Sequence, residues 1–202
     1  MFARTERLLL RPGFPEDAPA LAMAIGDEAV VRNLAVVPWP YSLRDAEAFL
    51  AAPKDPVLPS LLIAERTDGA PRLVGACGLG RRPSGAVELG YWIARADWGR
   101  GIATEACAAL VDIARTLRLG ALEASHFLDN PASGRVLEKL GFAPTGIVGP
   151  RYCCARGELR VQPPAVPGQQ RQADGGYNIE AQHAVGGADG LGLLAGVDPQ
   201  GE

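Results

Sequence analysis

The stretch Asp97–Trp98–Gly99–Arg100–Gly101–Ile102–Ala103–Thr104 limits what this chain can become more than any other segment. It joins an apolar run, Tyr91–Trp92–Ile93, to a helical pattern in which Ala103, Ala106, Cys107, Leu110, Ile113, Ala114 and Leu117 recur at three- and four-residue steps. A strand, a glycine turn and an amphipathic helix therefore follow one another directly. The glycines let the backbone approach a ligand closely, and the first amides of the helix point unpaired N–H groups outward, with the positive end of the dipole behind them. That combination is a cradle for phosphate, to which Arg100 can add a charge. No G-x-G-x-x-G pattern occurs and no Walker lysine follows, so neither a dinucleotide fingerprint nor a P-loop is present.

Around this unit the pattern alternates between strands and helices. Leu8–Leu9–Leu10 reads as a buried strand stopped by Pro12–Gly13, and Pro15–Glu16–Asp17 opens a helix that Gly26 ends. Ser42 caps a second helix, with Asp45 three residues on. Runs at 61–65, 73–79 and 87–93, with Asp68–Gly69 in the first turn, predict an antiparallel meander. The long helix is expected over 102–119 with Gly120 as its left-handed stop. A strand at 122–128, a helix capped by Asn130 and opened by Pro131, and a strand at 142–148 follow. The order predicts an α+β (mixed α/β) fold, helices on a central sheet.

Composition excludes several classes. The chain has 202 residues, enough for one domain with length left over, and is 48 % hydrophobic and 21 % charged, as soluble domains are. A net charge of −3 supplies no broad basic face for nucleic acid. The four cysteines, Cys77, Cys107, Cys153 and Cys154, have no metal-ligand spacing, so no metal is expected and reduced thiols are. Cys107 falls on the apolar stripe of the long helix and reads as packing. No leader core and no apolar run of about 20 residues is seen, which points to a cytoplasmic protein without a membrane span.

These residues, in this order, resemble the GNAT acetyltransferase superfamily, and within it the branch of ribosomal-protein N-terminal acetyltransferases. The matches are Thr5–Glu6–Arg7–Leu8, Glu88–Leu89–Gly90–Tyr91–Trp92–Ile93, the loop begun by Trp98, Asn130–Pro131–Ala132–Ser133, and Leu137–Glu138–Lys139–Leu140–Gly141–Phe142. Together they cover about residues 5–150. The resemblance implies a mostly antiparallel sheet with one splayed strand pair, in which acetyl-CoA lies. It implies that main-chain groups of Trp92, Ile93 and Ala94 pair with pantetheine. The segment Trp98, Gly99, Arg100, Gly101, Ile102, Ala103 and Thr104 would hold the diphosphate, and Asn130 would hold pantetheine. It further implies acetyl transfer by direct attack of a primary amine, either a protein N-terminus or a small molecule, on the thioester. A monomer or homodimer is expected.

Such a reaction needs a proton acceptor for the amine and a proton for the leaving thiolate. Glu88, on the strand face shared with Trp92, is the candidate base, and Ser133 the candidate acid, with Tyr152 a weaker alternative. Trp39 and Tyr41 are candidates for the acceptor wall. Residues 1–156 are expected to form the acetyltransferase domain. From about 157 the chain turns rich in Gly, Pro and Gln, without periodicity, and reads as a disordered tail in which Pro163–Pro164 cuts the closing strand to a stub at 158–161. That ending leaves a non-catalytic acyl-CoA-binding module as the alternative function, with an unrelated nucleotide-binding domain behind it.

Overall fold

The computed structural model describes residues 1–159 together with 175–180. Strands β1 (Ala3–Arg4), β2 (Leu8–Arg11), β3 (Ser60–Glu65), β4 (Arg72–Arg81) and β5 (Val87–Ile93) pair antiparallel in sequence order. Strand β6 (Ala121–His126) lies parallel to β5, and β7 (Ala143–Pro144) ends the sheet. Two short strands, β8 (Tyr152–Cys153) and β9 (Glu158–Leu159), form a separate pair. Between β6 and β7 sits β10 (Gly175–Glu180), antiparallel to both. The fold is thus the expected α+β arrangement, with a mostly antiparallel sheet.

Each face of the sheet carries its own core, because strand side chains alternate. On one face Leu8, Leu10, Leu61, Ile63, Leu89 and Ile93 pack under helices α4 (Ile102–Thr116) and α5 (Pro131–Lys139), which bury Leu110, Ala114 and Leu137. On the other, Leu62, Ala76 and Trp92 meet α1 (Ala18–Ile25), α2 (Glu28–Val31) and α3 (Leu43–Ala51). Local signals place several helix ends as read. Ser42 and Asp45 form a reciprocal capping box at α3, and the Asn130 side chain accepts from Ser133 N–H at the start of α5.

Three expectations are corrected. Helix α4 ends at Thr116, and the left-handed residue that follows is Arg118, at φ 54°, not Gly120. Leu119 N–H reaches Ala114 C=O at 3.1 Å, and Leu119 packs on the core, so a side-chain contact fixes the stop one turn early. Replacing Arg118 by Gly is expected to raise stability by about 1 kcal/mol in urea unfolding, since the left-handed strain disappears. Of the strand expected over 142–148, only Ala143–Pro144 pairs. Strand β10 lies within the stretch read as a structureless tail. It pairs with β6 along its whole length, from Gly175↔His126 to Glu180↔Ala121. A six-residue segment thus covers an edge that β6 would otherwise leave open. Of the stub expected at 158–161, Glu158–Leu159 pairs with β8; the other tail residues lie outside the described ones.

Among the described residues no helix is long and apolar enough to cross a membrane.

Candidate active site

Strands β5 and β6 pair only at Val87↔Leu122 and Glu88↔Glu123. Beyond that point β5 runs to Ile93 and β6 to His126 without a ladder between them, which is the splay the resemblance implies. The gap opens into a cleft of about 390 Å³ that reaches the loop before α4 and the start of α5. Main-chain direction along β5 decides what the gap can bind. Ala94 N–H donates to Val74 C=O on β4 at 2.8 Å, and its own carbonyl accepts from Asp97 N–H at 2.9 Å. Trp92, two residues back, turns the same way, with its carbonyl oxygen against Gly75. Ile93 and Tyr91 alternate to the open side.

The expected pantetheine partners are corrected accordingly. Both main-chain groups of Ala94 are taken, and Trp92 turns to β4, so the edge facing the gap belongs to Tyr91 and Ile93. The Ile93 carbonyl also accepts Trp98 Nε1–H at 2.7 Å. The indole, 40 % exposed, thus ties the loop to the strand while lining the cleft.

At the cradle, Gly99 and Gly101 both have φ +76°, a left-handed conformation that puts the backbone amides where a side chain would otherwise dictate shape. Gly101 is the N-cap of α4, and its carbonyl accepts from Glu105 N–H at 3.1 Å. Ile102, Ala103 and Thr104 line the cleft within the first turn, whose amides lack intrahelical acceptors. These residues fit a diphosphate by main-chain donors alone.

Arg100 does not supply the expected charge to the cradle. Its guanidinium binds Asp97 and Glu65, and Arg72 binds the same two carboxylates. Asp97 is 3 % exposed, and the hydrogen bond from Arg72, with that from Arg100, holds its carboxyl below the ordinary range. The cluster braces the loop from behind. From the other side, Arg7 donates to the Arg100 carbonyl at 3.0 Å and to Glu105, which also accepts from Thr5 Oγ1 at 2.5 Å. The N-terminal motif therefore anchors the loop and helix α4, a role that only its long-range partners reveal.

Glu88 lies on the α1–α3 face of the sheet and Tyr91 on the other, and both line the cleft because the gap passes through the sheet. Glu88 is 4 % exposed, and its carboxylate accepts from Arg82 at 2.7 Å, Ser125 at 2.9 Å and Arg151 at 3.1 Å. Arg151 also donates to the second oxygen at 3.3 Å and to Ser125 Oγ. Three of the four contacts to the Glu88 carboxylate fall on one oxygen. Glu88→Gln is expected to lower stability by about 3 kcal/mol in urea unfolding, since two part-buried guanidiniums lose their shared counter-ion.

Ser133 stands in the first turn of α5, and its Oγ is 2.8 Å from Tyr91 Oη. Burial pushes the Tyr91 phenol well above its ordinary pKa, so it stays a neutral O–H partner. Tyr91, Ser125, Arg82 and Arg151 were not singled out from sequence. The only advance signal was the strand register, which puts Tyr91 on the side of β5 that meets α5. Asn130 lines the cleft beside Ser133.

The two aromatics expected at the acceptor wall, Trp39 and Tyr41, lie away from the cleft. Tyr41 packs on the α1–α3 core, where burial raises its phenol to about 12, and Trp39 stays exposed. The loop Asn33–Leu34–Ala35–Val36–Val37 lines the cleft. It is held by Cys153 Sγ–H to Leu34 C=O at 3.3 Å and by Cys154 N–H to Ala35 C=O at 2.8 Å. Tyr152, the weaker acid candidate, is half exposed and outside the cleft. Cys107, on α4, is fully buried in the core. Among the described residues no group of His, Cys, Asp and Glu is arranged to hold a metal.

Comparisons with known proteins bear on the family and the fold. The family described as the Acetyltransferase (GNAT) domain matches residues 7–143. The uncharacterized N-acetyltransferase p20 of Bacillus licheniformis is 31 % identical over 163 residues, 77 % of this chain and 89 % of p20. The fold matches a GNAT-family acetyltransferase of Bacillus anthracis with TM-score 0.68 at 21 % identity, over 91 % of this chain and 100 % of that one. It also matches a ribosomal L7/L12 α-N-protein acetyltransferase solved with coenzyme A, with TM-score 0.64 at 17 % identity, over 89 % and 98 %.

Proposed function

The chain belongs to the GNAT acetyltransferase family, and on that premise we propose that it carries acetyl from acetyl-CoA to a primary amine, a protein N-terminus or a small molecule, in the cleft between β5 and β6. One observation carries the reading: the splayed strand gap and the glycine cradle at α4 open into the same cavity. The bound donor supplies a thioester carbonyl open to attack by a neutral amine. The protein's part is to hold and orient it. Amides from Gly99 to Thr104 take the diphosphate, and the open edge of β5 at Tyr91 and Ile93 takes the pantetheine amides. Asn130 shapes the start of α5.

The acid is Ser133, whose Oγ proton goes to the departing sulfur, with Tyr91 keeping the hydroxyl in place. Glu88 receives the amine proton through Ser125, whose Oγ already donates to it at 2.9 Å, as Arg151 shifts aside. Residues 1–156 make up the catalytic unit, to which β10 adds a strand. The branch is that of ribosomal-protein N-terminal acetyltransferases, supported by the Asn130–Ser133 element and the likeness to the L7/L12 enzyme. Calorimetry with acetyl-CoA, then thiol release over a panel of N-terminal peptides and small amines, tests the reading. Micromolar binding with release for at least one amine is expected; no binding would overturn it.

A further inference from the structure

Most charged groups around the cleft are neutralised within the protein. Arg151 faces Glu88, and Arg72 and Arg100 share Asp97 and Glu65. Two are not. Arg135 and Lys139, exposed on α5, both line the cleft, and neither has an ion pair with a carboxylate among the described residues. Four residues apart, they stand one above the other on a single helix face. Helix α5 packs against α4, whose first turn forms the cradle, so the cations border the cavity in which a diphosphate is held. The cradle itself offers main-chain donors for two phosphates, and the one guanidinium on its loop is engaged elsewhere. Coenzyme A carries a third phosphate, on its ribose, which that cradle leaves unserved.

We propose that Arg135 and Lys139 form a second anion subsite, which takes the 3′-phosphate of coenzyme A and makes the protein select CoA over its 3′-dephospho form. The proposal rests on the reading of the cleft as an acetyl-CoA site. Two solvent-accessible charge pairs together amount to about a tenfold change in affinity, which salt weakens. Calorimetry with CoA and with 3′-dephospho-CoA measures the preference directly. The wild type should bind CoA about tenfold more tightly than the dephospho form at low ionic strength. The double variant Arg135→Ala, Lys139→Ala should bind both forms equally. Its affinity for the dephospho form should match the wild type's, which also shows that the fold and cradle are intact. Equal binding of both forms by the wild type, or a preference kept in the double variant, would overturn the subsite alone. Binding of neither form by the wild type would sink the acetyl-CoA reading and the subsite with it.

Discussion

Replacing Thr104 by Asp is expected to weaken coenzyme A binding about 100-fold or more while leaving the fold intact. Thr104 lies in the first turn of α4 and lines the cleft, half-buried. A carboxylate in a first turn interacts favourably with the helix dipole, by about 0.3–1 kcal/mol. The ligand-free protein should therefore melt no lower than the wild type. With a diphosphate in the cradle, each unit of like charge at about 5 Å costs about 3 kcal/mol at an effective dielectric constant near 20. One such pair already exceeds a hundredfold loss. Thr104→Val keeps the shape without charge, and should change the Kd by no more than about threefold, the loss of one exposed hydrogen bond. Calorimetry and a melting curve on the two variants separate charge from fold. Wild-type affinity in the Asp variant would place the phosphates elsewhere.

Replacing Ser133 by Ala should lower kcat about 100-fold with the Kd for coenzyme A within about twofold of wild type, as expected for a general acid lost from the leaving-group side. The helix start survives the change, since Asn130 caps through the main-chain N–H of residue 133. Tyr91→Phe leaves the hydroxyl without its 2.8 Å partner and should lower kcat about tenfold. Because the two groups act as a unit, the double variant should be no slower than Ser133→Ala alone. Steady-state thiol release with a responsive amine measures all three. A Ser133→Ala enzyme at full kcat would mean that the thiolate leaves without help from this pair.

The parts of the site legible in the sequence share one property: their chemistry is local. Gly99 and Gly101 announce a left-handed turn because few other residues accept φ +76°. Asn130–Pro131 and Ser42–Asp45 announce helix starts because each satisfies amides only a few residues away. What the sequence does not show involves partners far along the chain. Arg100 looked like a phosphate ligand until Glu65, 35 residues away, took its guanidinium. Glu88 is placed as the candidate base by its strand position, but that Arg151, 63 residues on, shares its carboxylate is visible only in the fold. Trp39 and Tyr41 are candidates for the acceptor wall by sequence, but core packing claims Tyr41 and the neighbouring loop lines the cleft.

Sequence alone was enough for the α+β class, most of the strands and helices and the glycine turn that opens α4, because periodicity, capping and backbone conformation act over a few residues. Only the tertiary structure decided which main-chain groups of β5 face the gap, which charges are already neutralised, and that Gly175–Glu180 joins the sheet beside β6. Those outcomes depend on pairing between distant segments. A strand's hydrogen-bonding edge and a side chain's counter-ion exist only once the neighbours that supply them have arrived.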